Sequence, residues 1–460
     1  MMRAKFFIFL FFYFFIFLFS RAQQPWTLRQ CADYAVSHNI AVRQSENQLR
    51  QDEVQVSTAR WQRLPDLNAS AGESFSFGRG LTLDNTYANR STSSTSFSVG
   101  TSVPLFTGFR IPNQIRQSQL NLEAATRDLE KARNDIRMQV AQAYVQVLYD
   151  MELADVARRQ IAIDSQQVVR LRAFVDNGRA SQAEFSQQEA TLAQSRLTAT
   201  RADNSRQLSL LALSQLLELP SPDGFTIARP ALTAASLAEP SAEATDASLP
   251  AFDLSSHPLP SPDVIYQEAL GVKPEIAAEQ LRLVASERSI DIARSARYPQ
   301  LSLSAGLQSN YYKTNGMPAD GFMTQLKNNF SQYVGLNLSV PVFNRFATRN
   351  SIRTAQLARE AQQLRLDQAK KALYKEVQQV YYNAVAARSR YASSEAALSS
   401  SRQAFRLMQA KYENGKATIT EFNEMKNNLL KTESDLLQAR YEYLYQTALV
   451  DFYRGRELSF

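Results

Sequence analysis

Val-Pro-Leu-Phe at residues 103–106 returns as Val-Pro-Val-Phe at 340–343, a distance of 237 residues. The same distance separates Asp-Asn-Gly-Arg-Ala at 176–180 from Glu-Asn-Gly-Lys-Ala at 413–417. A constant offset over a long stretch indicates that one structural unit has been duplicated. In each copy the order is a helix, two strands ending in Val-Pro, a very long helix, a glycine turn and a second long helix.

Long helices are predicted where glycine and proline are missing. Neither residue occurs in 113–177, 179–219, 342–414 or 416–454. These stretches are rich in Ala, Gln, Leu, Glu, Arg and Lys, which favour helices. Apolar residues recur there at steps of three and four, as in Ile136, Val140, Tyr144, Val147 and Met151, and in Leu366, Ala369, Leu373, Val377 and Val380. Each helix has one such stripe, with a spacing close to that of a coiled-coil seam. The Asn-Gly pairs end the first long helix of each copy, so that the chain turns back as a helical hairpin.

Strand pairs are predicted where apolar and small polar residues alternate. The alternating runs lie at about 67–77, 94–103, 301–312 and 331–340, with polar loops at 78–93 and 313–330. Each run has the length of a membrane-crossing strand. Four strands cannot close a barrel, and an open edge in a bilayer leaves backbone groups without hydrogen-bond partners. Either the runs form a soluble sheet or several chains pool them; export and the amphipathic hairpins favour pooling.

The first 22 residues have the pattern of an export signal. Arg3 and Lys5 precede an unbroken apolar run at 6–19, and Ala22 offers a cleavage site. With one cysteine the chain forms no internal disulfide, and Cys31 is expected to be a small buried helix residue. The net charge of +7 is too mild to indicate nucleic-acid binding.

These patterns divide the chain into four predicted segments. They are a signal peptide at 1–22, a first repeat at 23–219 with its helical hairpin at about 113–219, a linker at 220–262, and a second repeat at 263–460 with its hairpin at about 345–455. The linker is rich in Pro, Ser and Ala, which predicts irregular structure.

Taken together, the pieces resemble the TolC-like outer-membrane efflux proteins. Trp26-Thr27-Leu28 is similar to the family's opening helix, and the two Val-Pro pieces are similar to its strand-to-helix transitions. Tyr412-Glu413-Asn414-Gly415, followed by Thr418, Glu421 and Phe422, resembles the tip of its second hairpin. The resemblance covers nearly the whole chain after the export signal.

The resemblance implies a mainly α-helical protein with a membrane β-barrel. Three chains would form a homotrimer with a twelve-stranded barrel in the outer membrane and a long α-helical barrel in the periplasm of a Gram-negative bacterium. Such proteins are passive exit ducts of tripartite efflux pumps or type I secretion systems. Their partners are a periplasmic adaptor, an inner-membrane transporter and outer-membrane lipids. The resemblance implies no cofactor, no metal and no enzymatic activity.

The resemblance also assigns roles near the second hairpin tip. Glu421 and Glu424, one helical turn apart, correspond to acidic rings that narrow the periplasmic entrance; the alternative is an ordinary solvated helix surface. Tyr412 and Glu184 correspond to a link that holds the entrance shut. The family's second link uses a basic residue two positions after the tip glycine, where this chain has Ala417.

The hairpin tips themselves are marked by two Asn-Gly pairs. Gly178 and Gly415 are expected to shape the tips, beside which adaptor hairpins dock. Asn177 and Asn414 are assigned to the same docking region, or equally to simple helix ends.

A second hypothesis is an exported coiled-coil adaptor or scaffold without a pore. The four alternating runs favour the channel, because an adaptor has no need of paired strands with an apolar side. No constellation of catalytic residues supports an enzyme, and the two histidines, His38 and His257, have no partner spacing typical of a metal site. The sequence leaves open the transported substrate, the choice between efflux and secretion, and the resting state.

Overall fold

The structure is a computed structural model that describes residues 25–81, 85–222, 224–229 and 259–458. The predicted signal peptide at 1–22 and most of the predicted linker at 220–262 lie outside the described residues. The helices are α1 (Leu28–His38), α2 (Ile40–Trp61), α3 (Arg110–Asp176), α4 (Gln182–Leu216), α5 (Pro262–Val272), α6 (Pro274–Ser295), α7 (Phe322–Asn328), α8 (Ala347–Glu413) and α9 (Ile419–Tyr453). The strands are β1 (Asp66–Leu81), β2 (Tyr87–Phe106), β3 (Gln300–Thr314) and β4 (Ser331–Ser339).

The duplication is visible in the lengths of the helices. The first long helix of each copy, α3 and α8, has 67 residues, and the second, α4 and α9, has 35. At about 1.5 Å per residue a 67-residue helix is about 100 Å long. Such a helix is stabilised only by burying a stripe against other helices, and Val140, Val147, Leu373 and Val377 are indeed buried.

The chain divides into two compact units, and each unit takes residues from both repeats. Unit 1 comprises residues 1–46, 128–274 and 370–460, and unit 2 comprises 47–127 and 275–369. The sequence repeats at 23–219 and 263–460 are therefore not the compact units. Unit 2 holds the sheet, and unit 1 holds both helical tips.

In unit 1 the segment at Trp26, just before α1, is tied to the long helix α3. Thr27 caps α1 through a capping box with Gln30, and Trp26 forms a parallel bridge with Ile227. The Tyr144 hydroxyl on α3 donates to the Trp26 and Ala228 carbonyl oxygens at 3.2 and 2.5 Å. Cys31 is fully buried, and burial raises the pKa of its thiol to about 12, as expected for an inert core residue.

The four strands of unit 2 form one antiparallel sheet in the order β1-β2-β3-β4. Residues paired across antiparallel strands lie on the same face of a sheet. On one face, Ala69 pairs with Val99 and Val99 with Leu307, while Leu303 pairs with Leu336. On the other, Ser70 pairs with Ser98, Ser98 with Gln308, and Ser302 with Asn337. The register therefore gathers the apolar side chains on one face and the small polar ones on the other.

β1 and β2 are longer than the alternating pattern predicts, and the predicted loop at 78–93 is wrong in extent, whereas the loop predicted at 313–330 agrees with the ends of β3 and β4 to within two residues. β1 runs to Leu81 and β2 already begins at Tyr87. The Ser/Thr-rich start of β2 is held in the sheet because its backbone pairs with β1 and β3, which composition does not reveal. The second connection contains the short helix α7, which no periodicity indicated.

Each strand pair passes into its long helix through two successive residues in the left-handed conformation. In the first copy these are Gly108 (φ +61°) and Phe109 (φ +67°), and in the second Arg345 (φ +53°) and Phe346 (φ +63°). The two pairs are 237 residues apart, so the duplication extends to backbone angles. No described helix is long and apolar enough to cross a membrane.

Candidate functional site

The two helical tips of unit 1 have the same backbone geometry. At the first, the Arg179 N–H donates to the Phe174 carbonyl at 2.8 Å and the Gly178 N–H to the Val175 carbonyl at 2.9 Å. At the second, the Lys416 N–H donates to the Lys411 carbonyl at 2.8 Å and the Gly415 N–H to the Tyr412 carbonyl at 3.0 Å. This is the Schellman ending of a helix, which places a residue with positive φ after the last turn.

Gly178 and Gly415 take that position, with φ of +67° and +69°. A β-carbon at either residue would meet no atom within 4 Å, so backbone conformation and not crowding favours glycine there. The Nδ2 atoms of Asn177 and Asn414 donate to the Ala173 and Ala410 carbonyls, both at 2.7 Å. Both asparagines therefore end their helices by satisfying a last-turn carbonyl.

The return helix at each tip begins with a capping box. The Ser181 N–H donates to Glu184 Oε2 at 2.8 Å, and the Thr418 N–H donates to Glu421 Oε2 at 2.8 Å. The Ser181 and Thr418 hydroxyl oxygens accept from the N–H groups of Glu184 and Glu421 at 3.2 and 3.3 Å. Glu184 and Glu421 thus fix the start of α4 and α9, whatever further role they have.

These hydrogen bonds change the acidity of Glu421. The Thr418 amide and hydroxyl lower the pKa of the Glu421 carboxyl below its usual value, because they donate to the ionised form. The capping interaction is therefore fully present above the unfolded-state pKa. It is lost as pH falls through the lower folded-state pKa. Glu421 therefore stays ionised to a lower pH than a glutamate without these hydrogen bonds.

Glu424, one turn further along α9, is exposed and makes no hydrogen bond or ion pair with any described residue. Its position in the first repeat, 237 residues earlier, is occupied by Gln187. The two carboxylates that the sequence predicted to act together therefore differ, since Glu421 is bound by a helix cap and Glu424 is free.

Tyr412 is half-buried on Phe422, with the ring centroids 4.9 Å apart and nearly parallel. Burial raises the pKa of the Tyr412 hydroxyl; Arg170 opposes that shift and Glu184 adds to it. The Glu184 carboxylate is thus near enough to oppose ionisation of the Tyr412 hydroxyl. The Glu184 oxygen is already engaged by Ser181, and no Tyr412–Glu184 hydrogen bond forms in the single chain.

Two ionic contacts between the repeats were not predicted. Near the tips, Arg170 Nη1 of α3 lies 3.9 Å from Glu413 Oε1 of α8. Deeper in unit 1, Lys426 Nζ of α9 lies 2.5 Å from Asp164 Oδ1 of α3, with 3% and 0% of the two side chains exposed.

The Asp164–Lys426 pair is the centre of a buried polar network. Gln160 Nε2 and Ser195 Oγ donate to Asp164 Oδ2 at 2.8 and 2.5 Å. Lys426 Nζ also donates to Asn423 Oδ1 at 3.2 Å. Three helices, α3, α4 and α9, are joined by these contacts. The sequence carried a signal for the network, because Lys426 continues the buried stripe of Ile419 and Phe422 at helical spacing.

The described residues contain no group of acidic, histidine or cysteine side chains arranged to hold a metal ion. The candidate site consists of the two capped helical tips and the buried ionic network of Asp164 and Lys426.

Comparison with known proteins identifies the class. A family model described as outer membrane efflux protein matches residues 32–218 and 265–454, one segment for each repeat. The chain belongs to the outer membrane efflux protein family. The predicted family resemblance is confirmed, and this efflux protein is an outer-membrane channel of efflux or secretion systems and not an enzyme. The pore-less scaffold hypothesis has no support.

Individual relatives agree with that assignment. The efflux protein is 26% identical to Protein CyaE of Bordetella pertussis over 429 residues, which cover 92% of this chain and 81% of CyaE. It is 28% identical over 309 residues to the pyoverdine export outer membrane protein OpmQ of Pseudomonas aeruginosa, covering 65% of this chain and 58% of OpmQ. The solved structure of CusC superimposes with a TM-score of 0.73 at 17% identity, over 94% of this chain and 92% of CusC. The predicted mainly helical fold with a sheet is confirmed at that level.

Proposed function

We propose that three copies of this efflux protein join their sheets edge to edge into a twelve-stranded outer-membrane barrel. Their helical hairpins continue as a duct that docks on a periplasmic adaptor and an inner-membrane transporter. The duct passes its substrate without chemistry of its own.

The open sheet is the observation that carries this proposal. β1 and β4 are the two outer strands of a four-stranded sheet, so each presents an unpaired edge in the single chain. The apolar face is uncovered, with Val334 and Leu336 77% and 68% exposed. A lipid bilayer accommodates the apolar face but not the unpaired edges, since each buried backbone group without a partner costs several kcal/mol. Pairing β1 of one copy with β4 of the next removes both edges.

The first experiment measures assembly and conductance. Protein extracted in detergent is expected to have three times the mass of one chain by light scattering, to migrate as an oligomer until heated, and to form ion-conducting pores in a planar bilayer. A chain that stays monomeric and dissolved without detergent would contradict the proposal.

The tips are the proposed periplasmic entrance. Glu424 is the exposed, unpaired carboxylate that three copies would bring together around the axis, and Glu421 supplies a second charge that its helix cap holds in place. Tyr412 and Glu184 form a link between the two hairpins of one chain, which is supported by the contribution of the Glu184 carboxylate to the raised pKa of Tyr412. Gly178, Gly415, Asn177 and Asn414 give the tips the shape on which the adaptor docks.

Charge selectivity tests the entrance. Glu424→Gln removes three unpaired carboxylates per trimer and is expected to lower the cation-to-anion permeability ratio at least about twofold. Glu421→Gln keeps the capping box, which accepts Gln, while removing the same number of charges. The measurement is the reversal potential of single pores in a KCl gradient. Glu360→Gln, at an exposed position of α8 in unit 2, is the control and is expected to change nothing. An unchanged ratio in Glu424→Gln would place this residue away from the conduction path.

A further inference from the structure

Six exposed aromatic side chains lie where the helices of unit 2 meet the sheet. They are Trp61, Phe106, Phe109, Tyr298, Phe343 and Phe346, and they are between 37% and 72% exposed. Phe109 contacts both Phe106 and Tyr298 edge to face, at centroid distances of 5.5 and 6.2 Å, and Phe343 contacts Phe346 at 5.6 Å. We name these six residues the junction belt. Aromatic side chains prefer the level of lipid headgroups, where an apolar body meets water.

The register places all four junctions at one end of the sheet. Asp66, the first residue of β1, is opposite Ser102 near the end of β2, and Gln300 of β3 is opposite Ser339 of β4. The ends of β1 and β3 and the starts of β2 and β4, where each strand pair is connected, lie at the opposite end. The junction belt therefore lies along one end of the sheet, where the chain changes from strand to helix.

The chain segments at these junctions are strongly basic. Residues 60–66, 107–116, 294–300 and 340–353 contain nine arginines and one acidic residue, Asp66. The whole chain is nearly balanced, with 51 basic and 44 acidic residues, so this excess is local. Asp66 Oδ1 accepts a hydrogen bond from the Ser102 N–H at 2.7 Å and is not paired with an arginine.

Six of the nine guanidinium groups have no side-chain partner among the described residues. They are Arg60, Arg63, Arg297, Arg345, Arg349 and Arg353, and all six are exposed. The other three contact Gln114, Glu123 and Asp291. In unit 1, by contrast, Arg390 pairs with Glu442 at 2.6 Å and Arg454 with Glu268 at 2.7 Å. Positive charge at the junctions is left for a partner outside the chain.

The backbone of Arg345 is in a strained, left-handed conformation. Its φ of +53° is a conformation that costs a non-glycine residue about 1–2 kcal/mol, and the first copy has glycine at the equivalent position. The second copy keeps an arginine there despite that cost. A side chain held in a strained conformation is a candidate for a functional role.

We propose that the junction belt and the six unpaired arginines bind anionic phospholipid headgroups at the periplasmic surface of the outer membrane. The inference rests on the proposed function, in which the sheet crosses that membrane. The aromatic rings lie at the headgroup level, and the arginines next to them reach the phosphates. Guanidinium is suited to this contact because its planar donors match two phosphate oxygens at once. The apolar face of the sheet is continuous with the belt, so lipid is the partner adjacent to these charges.

The experiment compares two lipids on the full, assembled protein. Phosphatidylglycerol or phosphatidylcholine is added to the detergent-extracted oligomer, and retained lipid is counted by native mass spectrometry. The wild type is expected to retain more phosphatidylglycerol than phosphatidylcholine. Each contributing arginine is expected to raise the ratio of the two retained lipids roughly fivefold, and the ratio is expected to fall as the salt concentration rises. The triple variant Arg345→Gln, Arg349→Gln, Arg353→Gln is expected to lose most of it, and the corresponding Lys variant to keep most of it. The control is the triple variant Arg159→Gln, Arg196→Gln, Arg201→Gln, which replaces three exposed arginines of unit 1. It is expected to leave the lipid preference unchanged.

The outcomes separate this inference from the proposed function. Equal retention of both lipids by the wild type, or an unchanged preference in the Gln variant, overturns the inference even where the pores conduct normally. Failure of the Gln variant to assemble would make these arginines subunit contacts and would also overturn it. A wild type that forms no oligomer and no pores overturns the proposed function itself.

Discussion

Replacing Asp164 with leucine is expected to lower the free energy of unfolding of the helical region by about 3–5 kcal/mol. The change leaves the Lys426 ammonium group buried, with 3% of its side chain exposed and the Asn423 amide oxygen as its remaining partner. It also removes the acceptor of Gln160 and Ser195. Chemical denaturation of the detergent-solubilised protein, followed by the circular dichroism of the helices, measures the loss.

A double-mutant cycle isolates the ion pair. Lys426→Met alone leaves the Asp164 carboxylate buried without its cation. Lys426→Met combined with Asp164→Leu leaves no buried charge at this site. The double variant is therefore expected to lose less than the sum of the two single variants, by at least about 2 kcal/mol. Lys131 and Asp135 are the matched control, because their atoms are 2.6 Å apart but the side chains are 46% and 39% exposed. Breaking that pair is expected to change stability by at most about 0.5 kcal/mol. Equal effects at both sites would show that burial does not matter here.

The sequence predicted the parts of the fold that depend on periodicity. The stripe from Ile136 to Val147 is buried as its spacing requires, and the alternation at 301–312 falls within β3. The limits of β2 depend instead on backbone pairing with two neighbours. Ser and Thr have no strong pattern of their own there, so the strand began earlier than predicted.

In the candidate site, the helix endings at the tips were predicted, and the contact between distant residues was not. The Asn-Gly pairs revealed both tips, because helix endings are local in sequence. The capping role of Glu184 and Glu421 is equally local, since Ser181 and Thr418 precede them by three residues. Asp164 and Lys426 are 262 residues apart, and only the packing of α3 against α9 brings them together.

The junction between sheet and helix has one feature that the sequence repeat predicts and one that only the packing determines. The duplication predicts that 108–109 and 345–346 have equivalent conformations, and the structure shows left-handed backbone at both. What the repeat cannot predict is the space around each copy. Gly108 is closely surrounded, whereas its counterpart in the second copy accommodates a full arginine.

Gly108→Ala is therefore expected to destabilise unit 2 by more than about 3 kcal/mol. A β-carbon at Gly108 would lie 2.5 Å from the Ser295 carbonyl oxygen and 2.8 Å from Tyr298 Cβ. The left-handed backbone adds about 1–2 kcal/mol for any residue with a side chain. The Ser295 carbonyl is backbone at the end of α6, so relief requires the helix end to move away from the start of α3. Urea denaturation of the oligomer and its yield in the membrane fraction measure the effect.

Arg345→Ala is the matched control, because it places the same side chain in the same left-handed conformation of the other repeat. Arginine and alanine bear the same conformational cost at φ +53°, and Arg345 is exposed, so the free energy of unfolding is expected to change by less than about 0.5 kcal/mol. A large loss in both variants would assign the effect to the backbone angle alone. A loss confined to Gly108→Ala shows that the close approach of α6 to the first junction requires glycine, and that the two repeats, equal in backbone, differ in the space each junction leaves.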